Sequence, residues 1–136
     1  MKYPYLTVLN NDPNGKHFRR PVVDVEIFGP EKSINTFALL DSGADNCLFH
    51  LQYAKEIGID LNKCKRSATI GVEGGKMEIY LTEIEIKIKG LEKIKVPVGF
   101  IDSRSVNGLL GQIGFFDFNR IKFERDHGTF EINPVK

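Results

Sequence analysis

The feature that most constrains this chain is the segment from Phe37 to Asp45, in which an apolar run ends directly at an aspartate. An apolar run of this kind is typical of a strand that is buried on both faces. Gly43 permits a tight turn just after the strand, and Ser42 can hydrogen-bond to nearby backbone and fix that turn. Because desolvating a carboxylate is costly, the segment predicts a functional role for Asp41.

The Asp-Ser-Gly tripeptide at Asp41 is weak evidence by itself. Average residue usage gives Asp-Ser/Thr-Gly by chance in roughly one chain in twenty of this length. The simple alternative is a turn after a strand, in which Asp41 caps neighbouring N–H groups. The rest of the chain decides between the two interpretations.

Length and composition restrict the class of protein. The 136 residues predict one domain over residues 1–136, with residues 1–19 as an N-terminal arm and residues 119–136 as a C-terminal hairpin. The net charge of +1 gives no electrostatic reason to expect nucleic acid or an acidic membrane surface as a partner. The first residues lack the apolar core of a secretory signal, and no apolar run is long enough to span a bilayer. We therefore expect a soluble, cytoplasmic protein.

Two cysteines are too few for a disulfide framework. Cys47, His50 and Cys64 could supply three ligands to zinc, but a structural zinc site requires four, and no fourth ligand stands at a useful spacing. We expect two reduced, half-buried cysteines, and neither a metal ion nor a cofactor.

Hydrophobic alternation predicts mostly strands. Strands are expected over 22–28 and 34–40, which form a hairpin that ends at the aspartate, and over 67–72, 77–81, 84–88, 94–100, 121–125 and 129–132. The alternation reverses phase near Thr82, which predicts a bulge or sharp bend there. Apolar residues at helical spacing predict one helix over 48–61, ending near Gly58. The predicted fold class is all-β, a closed barrel or sandwich with one or two short helices.

Two further glycine-containing segments complete the pattern. Residues 71–75 read Gly71, Val72, Glu73, Gly74 and Gly75, which predicts a flexible hairpin tip; no helix follows, so a phosphate-binding loop is excluded. Residues 108–111 read Gly-Leu-Leu-Gly, an apolar pair that runs into glycine after a short turn.

These elements stand in the order of a known family. Leu-Leu-Asp-Ser-Gly-Ala at 39–44, the glycine-rich hairpin and Gly-Leu-Leu-Gly resemble the retropepsin-like (retroviral-type) aspartic proteases, especially the small bacterial single-domain members. Arg20-Pro21 before an alternating strand and Asp45 two residues after Gly43 extend the resemblance, which covers about residues 20–118.

The resemblance implies an aspartic endopeptidase. Such enzymes activate one water between two carboxylates that share a proton, because like charges so close cannot both ionise. The chain contains one Asp-Ser/Thr-Gly, so the active unit is expected to be a two-fold homodimer in which each subunit supplies Asp41. The expected substrate is a peptide or protein, which would be bound as an added strand.

The resemblance also implies a role for each matching residue. The catalytic residues would be Asp41, Ser42 and Gly43, with Ser42 hydrogen-bonded across the axis. The substrate-binding residues would be Ala44, Asp45 and the flap, Gly71, Val72, Glu73, Gly74 and Gly75. The residues that support the catalytic loop and the dimer would be Arg20, Leu109, Leu110, Gly111 and Gln112, with Arg20 paired to the partner subunit's Asp45 and the Leu109–Gly111 segment packed behind the loop. Gln112 departs from retroviral members, which have arginine there, and removes one charged partner of Asp45.

One inference concerns pH. Ala44 offers no hydroxyl to stabilise an ionised Asp41, unlike the serine or threonine of pepsin-type enzymes, so we expect activity at mildly acidic to neutral pH.

Two alternatives stay open at the level of sequence. One is a retropepsin-like domain that binds peptides or dimerises but hydrolyses little or nothing. The other is a monomeric all-β barrel for a small ligand, in which Asp-Ser-Gly is only a turn.

Overall fold

The computed structural model describes residues 1–9, 17–70, 76–104 and 106–135. Its elements are listed in chain order: β1 (Lys2–Pro4), β2 (Leu6–Leu9), β3 (His17–Arg20), β4 (Val22–Phe28), β5 (Ser33–Leu40), β6 (Cys47–His50), α1 (Leu51–Ile57), β7 (Lys65–Ile70), β8 (Lys76–Ile88), β9 (Ile94–Ile101), β10 (Gly108–Leu110), β11 (Asn119–Glu124) and β12 (Thr129–Pro134). Short 3-10 turns occupy Leu61–Lys63, Phe116–Phe118 and Arg125–His127.

Six of the strands close into a barrel. They are hydrogen-bonded in the order β4, β5, β10, β6, β9, β8, and β8 pairs back with β4 from Val25↔Ile88 to Phe28↔Glu85. Closure removes the exposed edges of the sheet. The prediction of an all-β fold with a closed barrel is therefore confirmed. β7 lies outside the ring as the antiparallel partner of the first half of β8.

Two smaller sheets accompany the barrel. β1, β12 and β11 form a three-stranded sheet, in which β12 is central. β2 and β3 form a two-stranded ribbon, with Leu6 opposite Arg20 and Val8 opposite Phe18. The hairpin predicted over 121–132 is present as β11 and β12, joined through Gly128, whose φ of +69° is readily adopted by glycine.

Strand alternation fills the barrel. Val23, Val25 and Ile27 of β4 face the core, and Asp24 faces solvent. The aromatic side chains of Phe49, Phe100, Phe115 and Phe130 are fully buried. Each such burial contributes about 1.5–3 kcal/mol relative to an exposed side chain.

The helix predicted within 48–61 is present, but the predicted start is wrong. Residues 47–50 form β6, which lies between β10 and β9, because Cys47 and Phe49 alternate as buried residues with Leu48 and His50. The helix itself spans only Leu51–Ile57, and Gly58 ends it with φ of +87°, as predicted.

The bulge predicted near Thr82 is also wrong. β8 pairs with β9 in one continuous register from Ile79↔Ile101 to Ile86↔Ile94. The buried positions along β8 change from one face of the strand to the other without a bulge. Ile79 is buried on its face because it packs against β9 at Gly99, which has no side chain. A Cβ built on Gly99 would lie 2.5 Å from Ile79 Cγ2.

Candidate active site

Asp41 follows directly on β5, which crosses the barrel wall beside β10. The two strands are parallel, with Leu109 opposite Leu39 and Leu110 opposite Leu40. The N–H of Asp41 continues this pairing by donating to the C=O of Leu110 at 3.0 Å. The position of Asp41 is therefore set by the barrel wall itself.

The turn after β5 holds the Asp41 side chain. The Gly43 N–H donates to Asp41 Oδ1 at 2.9 Å, and the Ala44 N–H donates to the Asp41 C=O at 3.1 Å. Asp41 is half-buried, whereas Ser42, Gly43 and Asp45 are exposed. The carboxylate is thus fixed by the backbone of its own turn while it stays accessible from outside.

A second segment supports this turn from behind. The N–H of Gln112 donates to the C=O of Ala44 at 2.9 Å, and the N–H of Ile113 donates to the C=O of Asp45 at 2.8 Å. A parallel bridge between Asn46 and Ile113 extends the pairing. Residues 41–46 and 110–113 therefore form one hydrogen-bonded unit, which we call the aspartate-loop unit.

Gly111 and Gln112 have distinct places in that unit. A Cβ on Gly111 would lie 2.4 Å from the Asn46 carbonyl oxygen and 2.6 Å from that of Ala44, so only glycine fits there. The side chain of Gln112 donates from Nε2 to the C=O of Ser42 at 2.7 Å. The side chain and the backbone of Gln112 therefore both hydrogen-bond to the loop of residues 42–44 in the same chain.

Leu109 and Leu110 lie on opposite faces of β10. Leu110 is fully buried in the core. Leu109 is half-buried on the other face, beside Leu39 of β5 and Leu48 of β6, its partners in the two ladders. This row of leucines is not predicted from the sequence, because the expected helix includes residue 48; strand alternation through residues 47–50 is the signal that indicates it.

Arg20 is joined through Pro21 to β4, the neighbour of β5 in the barrel. Val22 pairs with Leu39, and the Leu40 N–H donates to the C=O of Pro21 at 2.9 Å. Arg20 itself ends β3, which pairs with β2 in a separate two-stranded sheet. The Arg20 guanidinium carbon lies 5.3 Å from the centre of the Phe18 ring. Within the described part of this single chain, no ion pair joins Arg20 to Asp45.

The predicted flap, residues 71–75, lies outside the described residues. Its two flanking strands, β7 and β8, are antiparallel, with Lys65 opposite Leu81 and Ile70 opposite Lys76.

The cysteines and His50 occupy separate structural positions. Cys47 is buried, its thiol lies 3.5 Å from the C=O of Ile113, and burial raises its pKa. His50 caps α1 by accepting the Gln52 N–H at Nδ1. In the described ranges, no three His, Cys, Asp or Glu residues are grouped so as to hold a metal ion. None of the helices in these ranges has the length and apolar character needed to cross a membrane.

The family is established by comparison with known proteins. The aspartyl protease family model matches residues 23–112, which is more than half of the chain. The protein therefore belongs to the aspartyl protease family. No curated protein sequence gives a significant match.

Solved structures show the same fold. The retroviral protease-like domain of Ddi1 from Leishmania major has a TM-score of 0.60 at 16% identity, covering 86% of this chain and 94% of that one. A retropepsin-like aspartic protease from Rickettsia conorii has a TM-score of 0.55 at 19% identity, covering 98% and 94%. The EIAV protease complexed with the inhibitor HBY-793 has a TM-score of 0.50 at 27% identity, covering 68% and 82%. The fold is that of the retropepsin-like aspartic proteases.

Proposed function

We propose that this protein is an aspartic endopeptidase that works as a homodimer. The observation that supports it most is the position of Asp41 in a chain of the aspartyl protease family: it follows a barrel strand, with its carboxylate fixed by the Gly43 N–H. A half-buried, oriented carboxylate is what general acid–base chemistry on a bound water requires.

The dimer follows from a count of carboxylates. One chain supplies one Asp-Ser-Gly turn, and the mechanism needs two carboxylates that share a proton. A two-fold axis beside Asp41 brings the second carboxylate from an identical subunit.

In this mechanism, the ionised member of the pair takes a proton from a water as the water attacks the carbonyl carbon of the peptide bond. The protonated member donates a hydrogen bond to the carbonyl oxygen. Collapse of the tetrahedral intermediate breaks the C–N bond, and the leaving nitrogen is protonated from the pair. Neither a metal nor a cofactor enters this scheme.

The remaining loop residues position these groups. Ser42, exposed at the turn, is proposed to hydrogen-bond across the axis, and Arg20 to pair with the partner subunit's Asp45. Ala44 and Asp45 are proposed to bind the substrate backbone, with the segment 71–75 closing over it.

The row of half-buried leucines beside Asp41 supports a substrate class. Leu39, Leu48 and Leu109 are neighbours across three strands, on the face opposite the core. An extended peptide bound along this face would place an apolar side chain near the scissile bond, because a polar one would lose its water without gaining a partner.

The proposal is tested by comparing wild type with Asp41→Asn on a peptide library. The proposed function predicts that wild type cleaves and that Asp41→Asn does not, although both sediment as dimers. Hydroxyl-bearing inhibitors that mimic the tetrahedral intermediate should block wild type. A dimeric wild type that cleaves nothing would favour the peptide-binding alternative, and a stable monomer that does not bind such inhibitors would favour a small-ligand barrel.

A further inference from the structure

His50 contacts both ends of the loop that joins β9 to β10. β6 lies between these two strands in the barrel, parallel to β9 and antiparallel to β10. The chain therefore leaves β9 and enters β10 at the end of β6 that His50 occupies. There the His50 N–H donates to the C=O of Asn107, which directly precedes β10, at 3.3 Å. His50 Nε2 lies 3.8 Å from Oδ1 of Asp102, which directly follows β9.

The two ring nitrogens of His50 have different partners. Nδ1 accepts the N–H of Gln52 at 3.0 Å and so caps α1. A ring nitrogen that accepts a hydrogen bond carries no proton, so the proton of the neutral ring is on Nε2, the nitrogen that faces Asp102. The 3.8 Å separation is longer than a direct hydrogen bond, but it permits electrostatic attraction and a bridging water.

Histidine is an uncommon residue at a helix cap, where Asn, Asp, Ser and Thr are preferred. Those shorter side chains cannot cap the helix and also reach a second group beyond it. The His50 side chain is 28% exposed, and its ring lies edge-on to the ring of Tyr53, with 6.2 Å between the ring centres. The ring is therefore held by packing and by the cap, with Nε2 directed at Asp102.

β10 is the element that these contacts support. It has three residues, and each of its two neighbouring strands pairs with only two of them. The C=O of Leu110 accepts the Asp41 N–H, and Leu109 belongs to the outward row of half-buried leucines. With so few ladder pairs, the position of β10 depends on how the chain is held just before and just after it.

We propose that His50 is a positioning residue for peptide cleavage: it holds the β9–β10 loop through Asp102 and thereby fixes Leu109 on the outward face of the barrel. The proposal rests on the proposed function, which makes the outward row of leucines a substrate surface. Loss of the contact should therefore affect KM more than kcat. The Asp41 carboxylate is held by the Gly43 N–H of its own turn, whereas Leu109 would contact the substrate directly.

The test separates the helix cap from the contact with Asp102. His50→Asn keeps a good N-cap, but its side chain is too short to reach Asp102, and Asp102→Ala removes the carboxylate. His127 and Asp126 supply a matched control, because they form a second histidine–aspartate pair, with Nε2 and Oδ2 3.3 Å apart, in the β11–β12 turn. Steady-state cleavage of one peptide is measured at one pH for all variants, with thermal unfolding as a check on folding.

His50→Asn and Asp102→Ala should each raise KM about threefold and leave kcat within about twofold of wild type. The double variant should equal either single variant, because both changes remove the same contact. His127→Asn and Asp126→Ala should leave KM unchanged. A wild-type KM in folded His50→Asn, or additive effects in the double variant, would overturn the positioning role and leave the endopeptidase intact.

Hydrogen exchange tests the loop contact independently of activity. The backbone amides of residues 108–110 should exchange faster in His50→Asn and Asp102→Ala than in wild type, and at the wild-type rate in the two control variants. Equal exchange rates in wild type and His50→Asn would show that the His50 side chain does not hold β10. A wild type that cleaves nothing would overturn the proposed function, and the exchange rates would still decide whether His50 and Asp102 fix this strand.

Discussion

At the scale of single residues, Gln112 shows how a neutral side chain can stabilise the loop after Asp41 through contacts within one chain. Its amide donates to the C=O of Ser42 and its backbone N–H donates to the C=O of Ala44. From the sequence, Gln112 is expected to remove one charged partner of Asp45. The structure shows a contact within the chain, from the Gln112 amide to the C=O of Ser42. The role of Gln112 is therefore to position the loop, because its side chain contacts the loop and not the Asp41 carboxylate.

Replacing Gln112 tests this role. Gln112→Met keeps the length of the side chain but removes the donor, and should lower the free energy of unfolding by about 0.5–1.5 kcal/mol. The same substitution should lower kcat about tenfold with little change in KM, since the turn that holds the Asp41 carboxylate is less rigid. Urea unfolding and steady-state kinetics measure the two effects. An unchanged kcat would show that the Ser42 contact does not position the loop.

Two glycines of the aspartate-loop unit give opposite predictions for the same substitution. Gly111→Ala places a methyl group against the backbone carbonyls of Ala44 and Asn46. It should lower the free energy of unfolding by about 3 kcal/mol or more, since that backbone cannot move freely.

At Gly43 the nearest atom to an added Cβ is Asp41 Oδ1, at 3.2 Å, so Gly43→Ala should fold and lose activity instead. Thermal unfolding measures the stability of both variants. Equal stability of Gly111→Ala and Gly43→Ala would contradict the prediction that only Gly111 is packed too closely to accept a side chain.

At the scale of elements, alternation in sequence was sufficient where a strand has one buried face. β4 and β5 lie where the pattern predicted them, because buried side chains alternate with more exposed ones along each strand. In β9, which was also predicted, the alternation holds only over residues 94–98, and residues 98–101 are all buried. The alternation pattern did not predict β6, because this strand contains only the four residues Cys47–His50 and continues directly into α1. Four residues give too short a window to separate a strand from the start of a helix, and the pairing of β6 with β9 and β10 is a tertiary contact.

Thiol labelling tests the place of β6 in the barrel. Cys47 is buried in β6 and burial raises the pKa of its thiol, so the native protein should present almost no thiolate there. In a Cys64→Ser background, Cys47 should react with an alkylating reagent only as fast as the barrel opens. The matched Cys47→Ser protein should react faster through Cys64, which is half-buried. Equal rates would mean that β6 is not held in the barrel wall.

At the scale of the whole molecule, the fold and the family could be predicted from the sequence because the motifs that indicate them are local. The aspartate turn, the second apolar-apolar-glycine element and their order can be read along the chain. The hydrogen bonds that join residues 41–46 to 110–113 depend on pairings between distant residues and could not be read in the same way.

The paired carboxylates also predict the pH dependence of the assembled dimer. Activity requires one proton shared by two Asp41 side chains, so the rate should fall both when the pair loses that proton and when it gains a second. Because Ala44 supplies no hydroxyl, the maximum of kcat/KM should lie at mildly acidic to neutral pH. A maximum below about pH 3, where pepsin-type pairs still work, would contradict this expectation.

The central claim is that one chain contains half of a catalytic centre. Mixing wild type with Asp41→Asn at equal concentrations, and allowing subunits to exchange, tests this directly. If two Asp41 carboxylates are required, only the wild-type homodimers cleave, and random pairing leaves activity at about one quarter of that of wild type at the same total concentration. Activity at one half would mean that each subunit catalyses alone, and would contradict the shared site.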